Sequence, residues 1–356
     1  MSFKYRVGII GCGRIAGMLE DDPLRGKPCT HAGAFDQVHE TKIIAVSDIN
    51  KNRVNKFGKR WNVQNLYTNY HEMLNKEEID ILSIAAWTRF HHEMVVSAAK
   101  SGVQGIFCEK PMALSIEQAE EMLHVCNEND VKIVINHERR WDPYYLKAKK
   151  IIEKGKIGEL KTIIGNVLDR PHKTKKVELY GGGTMFHDGT HLTDLLRFFA
   201  GDPEWVSGYE ERSFGVEYIE HTVFGLIRFL KGTKAFIEGG GCRNYFNFEL
   251  DLQGTEGRII IGNGTKELYI TQKSKKFSDF NELERVELSE PDQNANSFIG
   301  GVKDLIRCIE TGCKSNSSGE DGKKALEIIF ALYQSAKNDG KRISIPLSEN
   351  AAVAEY

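Results

Sequence analysis

The sequence predicts an α/β protein in two parts: a doubly wound parallel sheet, then a second α/β part built on a mostly antiparallel sheet. Three observations carry this. From Tyr5 to about Asn136 short apolar runs alternate with amphipathic stretches, the rhythm of βαβ units. Beyond Asn136 strand-like runs follow one another closely, with short connections. A glycine-rich stretch, GCGRIAG at Gly11–Gly17, follows the first apolar run directly.

The first-half strands are read as RVGII, KIIAVSD, DILSIAA, GIFC and VKIVIN, ending at Ile10, Asp48, Ala86, Cys108 and Asn136. Their continuous apolar character suits strands covered on both faces. The helices between them include RVNKFGKRW, HEMVVSAAKSG and SIEQAEEMLHVCNEND, with Gly102 as a C-cap. In the second half, helices are expected at Tyr144–Glu153 and His191–Phe199. The strands there are WVSGYEERS, HTVFGLIRFL, TKAFIEGGG, YFNFELDLQG and GRIIIG, with a tight turn at Leu230–Thr233. The tail returns to helix at Ser297–Glu310 and Gly322–Lys337. The expected division is a dinucleotide-binding domain over 1–136 and a substrate-binding and oligomerisation domain over 137–356 that includes the C-terminal helices.

The 356 residues fit two domains of ordinary size. The net charge of −2, from 48 basic and 50 acidic residues, gives no footprint for nucleic acid or an anionic membrane. No apolar stretch reaches the ~18 residues of a membrane span, and the first apolar run is too short for a signal peptide. Seven cysteines, an odd number without CxxC spacing, point to a reducing compartment. A cytoplasmic protein is expected.

GCGRIAG reads G-x-G-x-x-A, with Gly11, Gly13 and Ala16 in the key positions and Arg14 and Ile15 between them. Gly11 permits the tight turn, Gly13 lets backbone approach a pyrophosphate, and Ala16 is small enough for helix against strand. A helix N-terminus behind them favours phosphate. The bland alternative is a plain strand–helix turn. Asp48, ending the second strand, is the expected carboxylate for the adenosine ribose, and it favours NAD over NADP. Lys51 and Arg53 follow and keep NADP possible. The spacing from the glycines exceeds the usual ~20 residues, and an insertion at Glu20–Thr30 accounts for it.

GGGTMFHDGTHLTDLLRFFAG, Gly181–Gly201, places His187, Asp188, His191 and Asp194 at the entrance of a helix. A histidine beside an aspartate is an acid–base pairing. The plainer reading is that Asp188 caps the helix. Two histidines four apart can hold a metal, but no third ligand is evident, so no metal is expected.

With these motifs the chain resembles the Gfo/Idh/MocA family of glucose-fructose oxidoreductase and inositol dehydrogenase. The resemblance rests on GCGRIAG, HAGAF at His31–Phe35, the strand ending at Asp48, CEKP at Cys108–Pro111, RRWDP at Arg139–Pro143, the GGG-to-His stretch and the tail from Glu320. It implies a Rossmann domain and a second domain with a large, mostly antiparallel open sheet, whose exposed face builds a homo-oligomer, a dimer or tetramer. It also implies nicotinamide-dependent oxidation or reduction at a carbinol carbon of a sugar, inositol or related polyol.

On that resemblance Lys110 stands beside the nicotinamide and the reacting hydroxyl, and a lysine desolvated in a cleft can take part in proton transfer. Glu109 positions it or touches cofactor, and Pro111 fits the first turn of the next helix. His191 aligns with the family's catalytic or substrate-binding histidine. The sequence departs from the pattern where His187 replaces the usual aspartate, leaving His187 or Asp188 as its partner. Ala86-Trp87 replaces Thr-Pro, with His91 retained; Trp87 and His91 are candidate cofactor contacts. The Glu20–Thr30 insertion is either a lid or a tolerated loop. Arg140, Arg170 and Tyr180 are candidate substrate ligands, each with a structural role as the competing reading. Two other functions stay open: a sugar hydrolase or lyase using NAD transiently, and a non-enzymatic dinucleotide sensor.

Overall fold

The computed structural model describes residues 3–170, 172–173, 182–211, 218–219, 222–241, 243–290 and 295–347. The chain forms two compact units, one of residues 1–142 and 295–323, the other of 143–294 and 324–356.

The first unit is built on β1 (Tyr5–Ile10), β2 (Thr41–Ser47), β3 (Asn65–Tyr67), β4 (Ile81–Ile84), β5 (Gly105–Cys108) and β6 (Lys132–Ile135). All pair in parallel, in the order β3-β2-β1-β4-β5-β6. The helices are α1 (His31–Gln37), α2 (Lys51–Trp61), α3 (Tyr70–Lys76), α4 (His91–Ala99) and α5 (Ile116–Glu128). Val7, Ile9, Ile81, Phe107 and Val134 are wholly buried, and each such side chain contributes about 1.5–3 kcal/mol. Gly102, with φ of +90°, takes the left-handed conformation expected past α4.

Two local expectations are corrected. No α-helix follows the glycine loop at once. Gly17 and Met18 donate to Gly13 O and Leu19 to Arg14 O, making one helical turn, and a 3-10 turn follows at Met18–Asp21. The helix resumes only at α1, whose His31 and Ala32 N–H groups donate to Ile15 O (3.1 Å) and Ala16 O (2.8 Å). The insertion is thus spliced into the first helix, with Thr30 as a new N-cap accepting from Gly33 N–H. Nor does Pro111 open a helix. The Lys110–Pro111 peptide is cis, and α5 starts at Ile116, where Ser115 Oγ accepts from Gln118 N–H.

The second unit carries α6 (Pro143–Glu153), β7 (Leu160–Asp169), β8 (His172–Lys173), α7 (Thr184–His187), α8 (Gly189–Ala200), β9 (Pro203–Glu211) and β10 (Tyr218–Ile219). It continues with β11 (Thr222–Phe229), β12 (Lys234–Gly241), β13 (Asn247–Gly254), β14 (Gly257–Gly262), β15 (Lys266–Lys273) and β16 (Asn281–Val286). With β17 (Ile343–Ser344) the main sheet has nine strands, ordered β16-β15-β14-β13-β7-β12-β11-β9-β17. Among the described residues of this sheet, only β7 and β12 pair in parallel.

Helix α9 (Ser297–Thr311) was expected in the second unit, but residues 295–323 pack with the first. Phe298, Val302, Leu305 and Ile306 form one buried stripe against Phe107 and Trp141. Gly301 lets the helix approach the Phe107 ring, since a Cβ there would lie 3.0 Å from it. The last helix is α10 (Gly319–Lys337).

Candidate functional site

The parallel sheet gathers the first-half candidates at the carboxyl ends of its strands. The strand order reverses between β1 and β4, the place where open α/β sheets bind ligands. Gly11 follows β1 with φ of +96° and donates to Ser47 O at 2.7 Å. A Cβ on Gly11 would sit 2.5 Å from Ala85 O, so the fold itself demands glycine. Gly13 is different: a Cβ there would meet nothing within 4 Å. The protein leaves that space open, as a group approaching the backbone requires. Ala16 is wholly buried, Ile15 packs on the core, and Arg14 is exposed. The leading N–H groups of the 13–17 turn have no partner within it, which suits an anion even without a full α-helix behind them.

Asp48 stands at the end of β2. Its Oδ2 accepts from Cys12 N–H and its Oδ1 from Asn50 N–H, both at 2.8 Å. Each oxygen keeps a second lone pair for a hydroxyl donor. The carboxylate is thereby fixed beside the glycine turn, and these residues fit an adenosine ribose and pyrophosphate.

The EKP segment leaves β5 at the same edge. Glu109 N–H donates to Ile84 O at 2.9 Å, and its side chain turns inward. Oε1 lies 2.7 Å from His31 Nε2 and accepts from Asn136 Nδ2 at 2.6 Å. His31 is wholly buried and its Nδ1 lies 2.7 Å from Ser83 Oγ. Burial pushes the Glu109 carboxyl up, but the His31 hydrogen bond and charge, Lys110 and Asn136 outweigh it and hold the value near about 2. A carboxylate only accepts, so His31 Nε2 is the donor in this contact. Lys110 follows, half-buried, and its charge is one of those that hold Glu109 down. Glu138 feels Lys110 as well. Burial pushes its carboxyl up, against the lowering charges of Arg139 and Lys110.

His91, expected to touch cofactor, is wholly buried instead. Its Nδ1 lies 2.9 Å from Pro111 O and its Nε2 3.1 Å from Ala86 O. It ties the loops after β4 and β5 together. Burial lowers its pKa against the raising effect of the two carbonyls. Trp87 opens the 3-10 turn Thr88–Phe90 and is 38% exposed. Arg140, expected to meet substrate, is buried in the first unit. It donates to Asn316 O at 2.7 Å and faces Asp321 at 3.6 Å, an internal tie that holds the RRW turn. Arg170 is exposed just past β7. Tyr180 lies outside the described residues.

In the second unit α7 and α8 run almost head to tail through Asp188, whose φ of −98° and ψ of −28° are helical. Asp188 therefore makes no side-chain cap, which needs extended backbone. Its Oδ1 lies 3.0 Å from His187 Nδ1 instead. Both side chains are about three-quarters buried. His191, one turn on, is 7% exposed and donates its N–H to Asp188 O at 3.1 Å. Among the described residues no three His, Cys, Asp or Glu side chains converge as a metal site. No helix there is long and apolar enough to cross a membrane.

The sequence marks HAGAF and the strands DILSIAA and VKIVIN, but gives no role to His31, Ser83, Asn136 or Glu138. Polar residues in or beside such apolar strands and helices were the available signal.

Residues 5–137 match the oxidoreductase family with the NAD-binding Rossmann fold, and residues 145–260 match the GFO/IDH/MocA C-terminal domain. The chain belongs to the GFO/IDH/MocA oxidoreductase family. Among the relatives of this family member is a myo-inositol 2-dehydrogenase of Thermotoga maritima, 25% identical over 97% of this chain and 99% of that one. Another is a scyllo-inositol 2-dehydrogenase (NAD(+)) of Bacillus subtilis, 26% identical over 95% of this chain and 96% of that one. The solved aldose-aldose oxidoreductase of Caulobacter crescentus, complexed with glycerol, has the same fold. Its TM-score is 0.81 at 20% identity, over 96% of this chain and all of that one. The family assignment makes this chain an NAD-dependent oxidoreductase.

Proposed function

We propose that this protein oxidises or reduces a carbinol carbon of a sugar, inositol or related polyol, with Lys110 as the group that moves the hydroxyl proton. The observation that carries the reading is the fixed EKP segment. Glu109 is anchored by His31 and Asn136, so Lys110 leaves the carboxyl edge of the sheet from a rigid base. Residues 11–16 and Asp48 hold NAD, which when bound accepts or supplies the hydride. Lys110 Nζ takes the hydroxyl proton as the carbon–hydrogen bond breaks, and returns one in the reverse direction. His191 and the His187–Asp188 pair bind substrate hydroxyls and serve as the second proton relay. Trp87, on the rim, is a cofactor contact, and Arg170 remains a substrate ligand.

Self-association belongs to the same reading. Tyr209 stacks on Phe224 at 5.5 Å between ring centres. Phe236 pairs with Leu226 and Ile164 in register. Ile164, Tyr209, Phe224 and Phe236 are all exposed, an apolar stripe on one face of the nine-stranded sheet that a second copy would cover. The charge balance and free cysteines support a cytoplasmic setting.

The test is absorbance of reduced nicotinamide against a panel of inositols, aldoses and uronates, with NAD and with NADP. Growth of the band with one polyol is expected. Silence across the panel, with NAD binding intact, would overturn the reading.

A further inference from the structure

Cys308 and Cys313 differ from the other described cysteines. Their sulfurs lie 3.8 Å apart at the C-terminus of α9. Cys308 is in the last turn and 2% exposed; Cys313 follows the left-handed Gly312 cap and is half-buried. The Arg307 guanidinium donates to Cys313 Sγ, to Asp304 and to Lys314 O. Asp304 in turn accepts from Ser315 Oγ (2.8 Å) and Asn316 N–H (2.7 Å), which holds the segment beyond Cys313 against the helix. Two thiols in contact, one reachable and one behind it, with a guanidinium on the reachable sulfur, form the arrangement of a reactive and a resolving cysteine.

We propose that Cys308 and Cys313 are an oxidisable dithiol, with Cys313 as the thiolate that meets a hydroperoxide and Cys308 as the thiol that resolves it. The Cys313 thiolate attacks a peroxide oxygen and the O–O bond breaks. The departing alkoxide or hydroxide takes a proton, leaving a sulfenic acid. Cys308 sulfur then attacks the sulfenic sulfur, the S–O bond breaks, and the hydroxide leaves as water with the Cys308 proton. In sum two thiols and one hydroperoxide give one disulfide, one alcohol or water, and one water; the sulfurs lose two electrons and the peroxide gains two. The sulfurs need to close from 3.8 Å to about 2.05 Å.

The order of attack follows from the surroundings. The Thr311 hydrogen bond, then Cys308 and the Arg307 charge, lower the Cys313 pKa against burial and Asp304. Burial, with Asp304, pushes Cys308 up to about 12. Cys29, also half-buried, is an internal comparison, because burial and Glu20 raise its pKa.

The full chain would be treated with hydrogen peroxide, alkylated, cut with trypsin and weighed. Cleavage after Arg307 and Lys314 yields one peptide, CIETGCK, with both cysteines. The expected result is loss of two hydrogens from that peptide, reversed by dithiothreitol, at peroxide levels that leave Cys29 alkylatable. In Cys308→Ser, dimedone should trap a sulfenic acid at Cys313. The proposal is overturned if both thiols of the peptide stay alkylatable while Cys29 is oxidised, or if Cys308→Ser yields no dimedone adduct at Cys313.

Discussion

His31 Nε2 lies 2.7 Å from Glu109 Oε1, with the imidazole wholly buried beneath the carboxyl edge of the parallel sheet. This contact joins the helix spliced after the glycine loop to the segment that carries Lys110. Removing the ring leaves a buried carboxylate without its main partner, a loss that costs about 3–5 kcal/mol. His31→Ala should therefore lower the free energy of unfolding by that amount, read as a lower denaturant midpoint at an unchanged slope. An unchanged midpoint would show that the pair holds nothing together.

The same residues set a pH dependence. Glu109 falls from its ordinary 4.5 to about 2 in the fold, so its contribution is fully present above 4.5 and is lost as pH falls toward 2. Burial lowers His91 below its ordinary 6.5. Its contribution is present above 6.5 and fades as pH falls below that value, because the unfolded chain then binds the extra proton. These two groups should make stability decline as pH falls below 6.5 and decline further below 4.5. In His91→Gln the midpoint should be lower and should fall less between pH 7 and 5 than it does in wild type. A wild-type midpoint indifferent to pH across that interval would contradict the assignment.

The two loop glycines should separate stability from binding. Gly11→Ala meets Ala85 O and a positive φ, and should cost stability by about 1–3 kcal/mol. Gly13→Ala meets open space, so its melting temperature should stay near wild type while NAD affinity drops about tenfold or more, or at least ~1.4 kcal/mol. Calorimetry with and without NAD reads both. Equal NAD affinity in Gly13→Ala and wild type would remove the glycine turn from the cofactor site.

Asp48→Asn keeps an acceptor for Cys12 N–H and removes the charge. The NAD-to-NADP affinity ratio should fall about tenfold, the equivalent of ~1.4 kcal/mol, and titration with each cofactor measures it. A ratio that does not move would place the ribose elsewhere.

The parallel half was legible because buried strands such as GIFC and VKIVIN carry unbroken apolar runs between amphipathic helices. The missed β3 is three residues long and only partly buried, too short for a periodic signal. The missed β7 alternates buried Ile163 and Val167 with exposed positions, but Gly165 and Asn166 dilute its strand character. The outer strands β15 and β16 are half-exposed and charged. At the site, spacing marked Gly11, Gly13, Asp48 and Lys110, since each sits at a strand end. It could not show that His91 and Arg140 point inward, because their partners Pro111 O and Asn316 O are backbone atoms remote in sequence. For the same reason His31, 78 positions from Glu109, was visible only as part of a motif.

The most direct measurement is the rate of reduced-nicotinamide formation by Lys110→Ala beside wild type on the same polyol, with NAD affinity determined for both. Turnover should fall about 100-fold or more, the usual scale of proton-transfer assistance, while NAD affinity holds within a few-fold. Turnover equal to wild type with NAD bound would remove Lys110 from the chemistry, and with it the role proposed for the EKP segment.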